Sequence, residues 1–205
     1  IRIRDGNICF CDGQGSEICK EFTRVPPESR ASSVMSGTFM EKEIAEIPRA
    51  LSDTLESLSA TDFAPCARIL RGAKHVYAVA CGTALHAAQA FGDIVENEVR
   101  CPVFCFAASE FRYRDPLIGR EDLLVAVSQS GETADTLQAA RLAKERGAYV
   151  LAVTNIAQSS LASLADFTIL MRAGPGIALA APKSYNWQLL CLYYVAAQMK
   201  FYRVQ

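Results

Sequence analysis

The sequence predicts an α/β fold in which a doubly wound, five-stranded parallel sheet is flanked by helices and preceded by an N-terminal hairpin and linker. Five short apolar runs recur along the chain, and runs of this kind that end in small or polar residues are typical of strands buried on both faces. Segments with apolar residues at helical spacing separate most of these runs. Strands that alternate with helices form a parallel sheet with right-handed crossovers.

Residues 1–38 are predicted to form the hairpin and the linker. The strand-like runs are residues 7–12 and 17–22, and the glycine-rich residues 13–15 supply the turn between them. A lone two-stranded hairpin is marginally stable in water, so this one is expected to pack on something or to belong to a preceding domain. Two prolines and several serines mark residues 26–38 as a linker.

Residues 39–205 are predicted to contain the sheet and its helices. Residues 40–58 carry an apolar stripe at helical spacing, which Pro48 is expected to kink or to split into two helices, and a short helix follows around residues 63–70. The predicted strands are residues 75–80, 101–107, 123–127, 148–153 and 167–171. The predicted helices are residues 84–98, 134 to about 147 and 182–203, and Ser109 is expected to cap a further segment.

The stretch 122–136 combines a buried strand, a turn rich in hydroxyl groups and the start of a helix. The first turn of a helix has backbone N–H groups without partners and the positive end of the dipole, so it can bind a phosphate. Ser128, Ser130 and Thr133 would add hydroxyl groups. The turn has no lysine, which excludes a nucleotide-binding P-loop. The alternative is that Ser130 only caps the helix.

Three polar turns follow predicted strands and are expected to meet at one edge of the sheet. They contain Cys81-Gly82-Thr83, Ser128-Gln129-Ser130 and Thr154-Asn155. In open parallel sheets the ligand lies outside the carboxyl ends of the strands. Two alternatives that involve no ligand stay open, because Cys81 is small enough for the core and Gly82 can permit close helix–strand packing.

Residues 128–136, Ser-Gln-Ser-Gly-Glu-Thr-Ala-Asp-Thr, resemble the sugar-phosphate-binding signature of the glucosamine-6-phosphate synthase family, also called the glutamine–fructose-6-phosphate aminotransferases (isomerising). Further stretches that resemble this family occur in the same order, and together they cover about residues 39–190. These stretches are residues 40–44, 80–83, 109–114, 154–155 and 159–161.

The resemblance implies that residues 39–205 are the first sugar isomerase (SIS) domain of such a synthase, with a flavodoxin-like fold, and that residues 1–38 are the end of a glutaminase domain. The family converts fructose 6-phosphate and glutamine to glucosamine 6-phosphate and glutamate without a metal or an organic cofactor. The family positions that hold the sugar phosphate correspond to Ser128, Gln129, Ser130 and Thr133. Those that border the sugar correspond to Cys81, Gly82 and Thr83.

The sequence departs from the family pattern at several positions. Ala84 replaces the usual serine after Cys-Gly-Thr, Gly176 replaces a glutamate, and Ala181-Pro182 replaces a serine–threonine pair. Each hydrogen bond lost to a charged ligand costs about 1.5–3 kcal/mol. The glutaminase nucleophile and the second SIS domain, which supplies the family's acid–base residues, are not found in residues 1–205. The chain is therefore expected to be a phosphosugar-binding module rather than a complete enzyme; the alternative is a diverged, non-catalytic module for phosphosugar sensing or dimerisation.

Composition excludes several other classes of function. The net charge of −1 gives no basic patch for nucleic acid, and no apolar run approaches the roughly 20 residues that span a bilayer. Residues 1–4 have no long apolar run after their charges, so no signal peptide is predicted. Eight cysteines without a Cys-x-x-Cys pair, together with only two histidines, indicate reduced, mostly buried thiols rather than zinc ligands or disulfides. These features predict a cytoplasmic protein, and the apolar last helix suits a homodimer.

Other polar residues are weaker candidates for the site. Glu110 and Glu132 lie near strand ends, where they are within reach of a substrate, whereas His86 has no visible carboxylate partner for acid–base chemistry. His75 is expected to lie on the surface or to have a packing role, and residues 112–114 are expected to form a surface that faces solvent or another subunit. No catalytic residue is assigned.

Overall fold

The computed structural model describes residues 2–4, 7–12, 14–18, 39–172 and 182–204. The chain forms two compact units, Ile1–Val34 and Met35–Gln205. The predicted linker at residues 26–38, the end of the second hairpin strand and the segment with Gly176 and Ala181 lie outside the described residues.

The N-terminal unit is a three-stranded antiparallel sheet in the order β1 (Arg2–Arg4), β2 (Asn7–Cys11) and β3 (Glu17–Ile18). Strands β2 and β3 are the predicted hairpin, which is confirmed. The turn is held by Asp12, whose Oδ1 accepts the backbone N–H groups of Gln14 and Ser16, both at 2.9 Å. Strand β1 was not predicted, because three residues are too few to show an alternating pattern.

The second unit contains a five-stranded sheet with the order β5-β4-β6-β7-β8, in which every pair of neighbours is parallel. Its strands are β4 (Val76–Ala80), β5 (Val103–Ala107), β6 (Leu123–Val127), β7 (Tyr149–Thr154) and β8 (Phe167–Leu170). The helices are α1 (Phe39–Ser59), α2 (Ala67–Gly72), α3 (Thr83–Ile94), α4 (Ala108–Phe111), α5 (Ala134–Glu145), α6 (Ser160–Leu164) and α7 (Pro182–Val204). The predicted α/β fold is confirmed.

The two faces of the sheet pack against different helices. In β4 the side chains of Val76, Ala78 and Ala80 belong to one buried cluster, whereas those of Tyr77 and Val79 belong to the other. This alternation follows from the two-residue period of a strand. The first cluster includes residues of α1, α2, α3 and α7, and the second includes residues of α4, α5 and α6. Helices therefore cover both faces of the sheet.

Helix α1 runs without a break through Pro48, so of the two predicted outcomes, a kink or a split into two helices, the split is wrong. A proline inside a helix removes one hydrogen bond and clashes with the preceding turn. Tertiary packing offsets this cost, because Ile47, Leu51 and Leu58 on the same helix contact the main core. Thr54 adds a buried link, since its hydroxyl donates to the carbonyl oxygen of Met171 at 2.8 Å.

Two further details differ from the prediction. Ser109 lies inside α4 rather than capping it, and its hydroxyl donates to the carboxylate of Glu110. Helix α3 ends in a π-helical turn, Val95–Val99, after which Arg100 adopts a left-handed conformation with φ 56°. Among the described helices, none has the length and apolar character required to cross a membrane.

Candidate functional site

A cleft of about 220 Å³ lies at the carboxyl ends of the neighbouring strands β4 and β6. The turn after β4 contributes Cys81, Thr83 and Ala84. The turn after β6 contributes Ser128, Gln129, Ser130 and Thr133, and helix α7 closes the third side with Ser184 and Gln188. Six of the seven predicted site residues therefore border one cavity, and Gly82 is the seventh. That these residues contact a ligand stays a prediction.

The hydroxyl of Ser128 organises the turn after β6. Its Oγ accepts the backbone N–H of Gly131 at 3.1 Å and lies 2.9 Å from the Oγ1 of Thr133. The backbone N–H of Ser128 also extends the sheet, since it donates to the carbonyl oxygen of Val153 at 3.0 Å. Because Ser128 is only 4% exposed, these contacts hold the turn in one shape and fix the position of Thr133 at the cleft.

Ser130 does not cap helix α5, so this alternative is wrong. Its Oγ accepts the N–H of Glu132 at 3.1 Å, whereas the residue at the cap position is Thr133. The Thr133 side chain makes no capping bond to α5 within the described part of the chain. The first turn of this twelve-residue helix therefore keeps N–H groups without a side-chain cap, beside the half-exposed Ser130. Such a start favours a bound anion.

The third predicted turn, Thr154-Asn155, forms hydrogen bonds with the backbone of the Ser128 turn. The N–H of Asn155 donates to the carbonyl oxygen of Gln129 at 3.0 Å, and the hydroxyl of Thr154 donates to the same oxygen at 3.3 Å. The N–H of Leu161 donates to the carbonyl oxygen of Gly131 at 3.0 Å. Thr154 and Asn155 therefore hold the Ser128 turn in place, although they do not border the cleft themselves.

Glu132 is directed to a helix start rather than to the cleft. Its Oε1 accepts the backbone N–H of Ser160 at 2.7 Å, at the beginning of α6. This hydrogen bond lowers the pKa of the Glu132 carboxyl, because it favours the charged form. Glu132 therefore links the turn after β6 to α6, and the idea that it touches a substrate is not supported by this contact.

Gly82 is required by its backbone conformation and not by packing. Its φ is 61° and its ψ is −137°, a combination that side chains strongly disfavour. A Cβ atom built at this position would meet nothing within 4 Å, so the alternative of close helix–strand packing is wrong. The glycine allows the chain to turn sharply from β4 into α3, which brings Thr83 and Ala84 to the cleft.

Two polar residues of the site, Ser184 and Gln188, were missed in the sequence. They lie four residues apart and therefore on one face of α7. Gln188 is 2% exposed, and its Oε1 has no hydrogen-bond partner among the described residues. The available signal was a polar pair at helical spacing within an otherwise apolar helix.

The remaining titratable candidates lie away from the cleft. His75 precedes β4, at the opposite end of the sheet, and its Nδ1 lies 2.8 Å from the Oδ1 of the buried Asp122. His86 is exposed and contacts the side chain of Gln89. Residues 112–114 are exposed as expected. Within the described ranges, no three His, Cys, Asp or Glu side chains are arranged to hold a metal ion.

The cysteines are less buried than predicted. Of the seven described thiols, Cys66, Cys101 and Cys191 are buried and the other four are half-buried. Burial raises the pKa of the Cys191 thiol to about 12 and that of Cys105 to about 11. Cys81 differs from these two because it borders the cleft.

Comparisons with known proteins connect this geometry to one family. The model of the SIS domain family matches residues 69–198. The glutamine–fructose-6-phosphate aminotransferase (isomerising) of Clostridium acetobutylicum is 41% identical over 192 residues, which are 90% of this chain and 32% of that protein. The chain therefore spans about a third of the length of the curated relatives it matches.

Solved structures share the architecture. The C-terminal domain of glucosamine-fructose-6-phosphate aminotransferase from Francisella tularensis superimposes with a TM-score of 0.79 at 31% identity, over 85% of this chain and 50% of that one. The Vibrio vulnificus NanR protein, complexed with ManNAc-6P, has a TM-score of 0.59 over 81% of this chain and 62% of that one; at 20% identity this likeness shows the fold alone. The family model covers well over half of the sequence, and the chain belongs to the SIS domain family.

Proposed function

We propose that the cleft binds a phosphosugar and that the Ser128 turn holds its phosphate. The observation that carries this proposal is the juxtaposition of the Ser130 and Thr133 hydroxyls with the start of α5, at the edge of a polar cavity. Anions bind at helix starts because unpaired N–H groups and the helix dipole favour negative charge. Cys81, Gly82 and Thr83, on the neighbouring strand end, would border the sugar.

The relatives indicate which phosphosugar to test. Those with about 40% identity are named for fructose 6-phosphate, and the NanR protein of the same fold is complexed with the phosphosugar ManNAc-6P. Fructose 6-phosphate and glucosamine 6-phosphate are therefore the proposed ligands. In this reading the chain is the sugar-phosphate-binding module of a glucosamine-6-phosphate synthase-like protein, without a metal or an organic cofactor. A homodimer, a cytoplasmic location and the assignment of residues 1–38 to a glutaminase domain stay predictions.

One observation favours the second candidate function, a module that senses a phosphosugar without turnover. Ala84 borders the cleft where the family's usual residue is serine, so one hydroxyl is lost from the wall beside the proposed phosphate. A weaker, more easily reversed complex suits a sensor. The two candidates share the same ligand chemistry, so binding is the first quantity to measure.

Thermal unfolding with either ligand tests the proposal. A ligand at about a hundred times its dissociation constant stabilises a protein by roughly 2.7 kcal/mol, which is a rise in Tm of about 5–11 °C for a chain of this size. The change Ser130→Ala is expected to reduce affinity at least tenfold, because it removes a hydroxyl beside the phosphate.

The exposed Ser59, whose hydroxyl donates to a carbonyl at the end of α1, provides the control variant Ser59→Ala. This variant is expected to bind like the original chain. If neither phosphosugar raises the Tm, or if Ser130→Ala and Ser59→Ala respond alike, phosphate binding at this turn is rejected.

Thiol labelling tests the second wall of the cleft. We expect fructose 6-phosphate to slow alkylation of Cys81 by iodoacetamide several-fold, because a bound sugar would cover a thiol that borders the cleft. Cys105 and Cys191 are expected to stay unlabelled near pH 8, since burial raises the pKa of both thiols and only the thiolate reacts.

Mass spectrometry reports each cysteine separately, so the half-buried Cys9 and Cys11 of the N-terminal unit serve as internal controls. Their labelling should not change with the ligand, and fructose without a phosphate should protect nothing. Unchanged labelling of Cys81 at a ligand concentration that raises the Tm would exclude the turn after β4 from the site.

A further inference from the structure

The side-chain oxygen of Gln188 is buried and has no hydrogen-bond partner among the described residues. Three side-chain polar atoms in the described parts of the chain are buried without a hydrogen-bond partner: the Oγ1 of Thr136, the Nε1 of Trp187 and the Oε1 of Gln188. Of these residues, only Gln188 borders the cleft. A buried acceptor without a partner is costly, and the great majority of buried polar groups in folded proteins are paired.

Gln188 lies between the apolar core and the cleft. Its neighbours along α7 include Trp187, Cys191 and Leu192, which are fully buried in the main core, so α7 is anchored firmly. Ser184 lies one helical turn earlier and borders the same cavity. Ser184 and Gln188 therefore form the wall of the cleft that α7 supplies, and the turns after β4 and β6 form the other walls.

The structure assigns Gln188 a role in ligand recognition: its side-chain amide binds a hydroxyl group of the sugar. This inference rests on the proposed phosphosugar function and goes beyond it, because it concerns the sugar and not the phosphate. An amide is neutral and carries both a donor and an acceptor, as a hydroxyl group does. The charged phosphate is already assigned to the Ser128 turn, where the hydroxyl groups and the start of α5 favour an anion. The uncharged sugar hydroxyls are therefore the part of the ligand that remains for Gln188.

The physical reason for the specificity is the cost of leaving a buried polar group unpaired. A site built to hydrogen-bond a hydroxyl rejects ligands that lack it, since the amide then stays without a partner. Gln188 is therefore expected to discriminate between a phosphosugar and a phosphate that carries no sugar. It is not expected to contribute to the binding of inorganic phosphate.

The test compares Gln188→Met with the matched variant Gln198→Met. Methionine has a similar volume to glutamine and carries no amide, so the shape of the helix surface is nearly retained. Gln198 is half-buried on the same helix, ten residues or about 15 Å further along, and does not border the cleft. Isothermal calorimetry measures fructose 6-phosphate and inorganic phosphate separately, and the Tm of the unliganded protein is measured in parallel.

We expect Gln188→Met to weaken fructose 6-phosphate binding about tenfold and to leave inorganic phosphate binding unchanged. We also expect its unliganded Tm to stay equal or to rise by about 2–4 °C, because the unpaired acceptor is gone. Gln198→Met should change neither affinity. A lower Tm with unchanged affinity for fructose 6-phosphate would overturn the inference and give Gln188 a purely structural role.

The same experiment separates this inference from the proposed function. If the unmodified chain binds neither probe, the phosphosugar function is rejected and the role of Gln188 is rejected with it. If the unmodified chain binds fructose 6-phosphate and Gln188→Met binds it equally well, only the role of Gln188 is rejected. A parallel loss of inorganic phosphate binding would assign Gln188 to the phosphate and would also overturn the inference.

Discussion

Replacing Gly131 with alanine is expected to lower the free energy of unfolding by about 2–5 kcal/mol and to abolish phosphosugar binding. Gly131 has a φ of 67°, a left-handed conformation that costs a residue with a Cβ about 1–2 kcal/mol. The added Cβ would also lie 2.2 Å from the Oγ of Ser159 and 2.9 Å from the Oγ1 of Thr154. Overpacking of this kind costs about 1–3 kcal/mol.

The loss of binding follows from the same clash. Ser159 is buried and its hydroxyl accepts the N–H of Ala162, while Thr154 helps to hold the carbonyl of Gln129. Ser159 cannot move without losing this bond at the start of α6, and Thr154 cannot move without releasing a contact of the Ser128 turn. The turn itself must therefore shift, and the hydroxyl groups that we assign to the phosphate move with it.

Two other glycines provide graded controls for urea unfolding. Gly82 has a positive φ but open space around its Cβ position, so Gly82→Ala is expected to show backbone strain alone, about 1–3 kcal/mol. Gly119 has open space and no positive φ, and Gly119→Ala should be close to neutral. The expected order of destabilisation is Gly131, Gly82, Gly119. If Gly131→Ala were as stable as Gly119→Ala, the Ser128 turn would have to adjust freely to the added Cβ. The proposal that this turn holds the phosphate in a fixed position would then be rejected.

The sheet and the main site could be predicted because their signals are local. Leu123–Val127 is a continuous apolar strand, and the polar residues that follow it lie directly before a helical pattern. The parallel topology then brings the turns after β4 and β6 to the same edge, since the two strands are neighbours. These inferences need only the strand period, the helix period and the rule that parallel strands share their carboxyl ends.

What could not be predicted depends on contacts between distant residues. The role of Glu132 is set by Ser160, 28 residues away, and a five-residue helix such as α6 is too short to show a period. Gln188 belongs to the cleft because α7 packs beside α3, and the polar pair that it forms with Ser184 does not by itself show which element that face of the helix meets. At Pro48 the local sequence was misleading. A proline predicts a break in the helix, but the packing of α1 against the core keeps the helix continuous.

Replacing Ala84 with serine is expected to tighten phosphosugar binding by roughly 10- to 150-fold. Ala84 is the second residue of α3, is 7% exposed and borders the cleft. A hydroxyl there would lie on the wall next to the Ser128 turn, and a hydrogen bond to a charged group contributes about 1.5–3 kcal/mol. Since 1.4 kcal/mol corresponds to a factor of ten, the expected range follows directly.

The control for Ala84→Ser is Ala88→Ser, the same substitution one turn later on α3. Ala88 is fully buried in the core and does not border the cleft. There the new hydroxyl is expected to lower the Tm without any gain in affinity, because it lacks access to the ligand. Calorimetric titration of both variants with fructose 6-phosphate and with inorganic phosphate measures the difference. If Ala84→Ser binds both ligands more tightly and Ala88→Ser does not, the phosphate lies between α3 and α5. If the affinity of Ala84→Ser is unchanged, the phosphate contacts only the Ser128 turn and α3 is not part of the phosphate site.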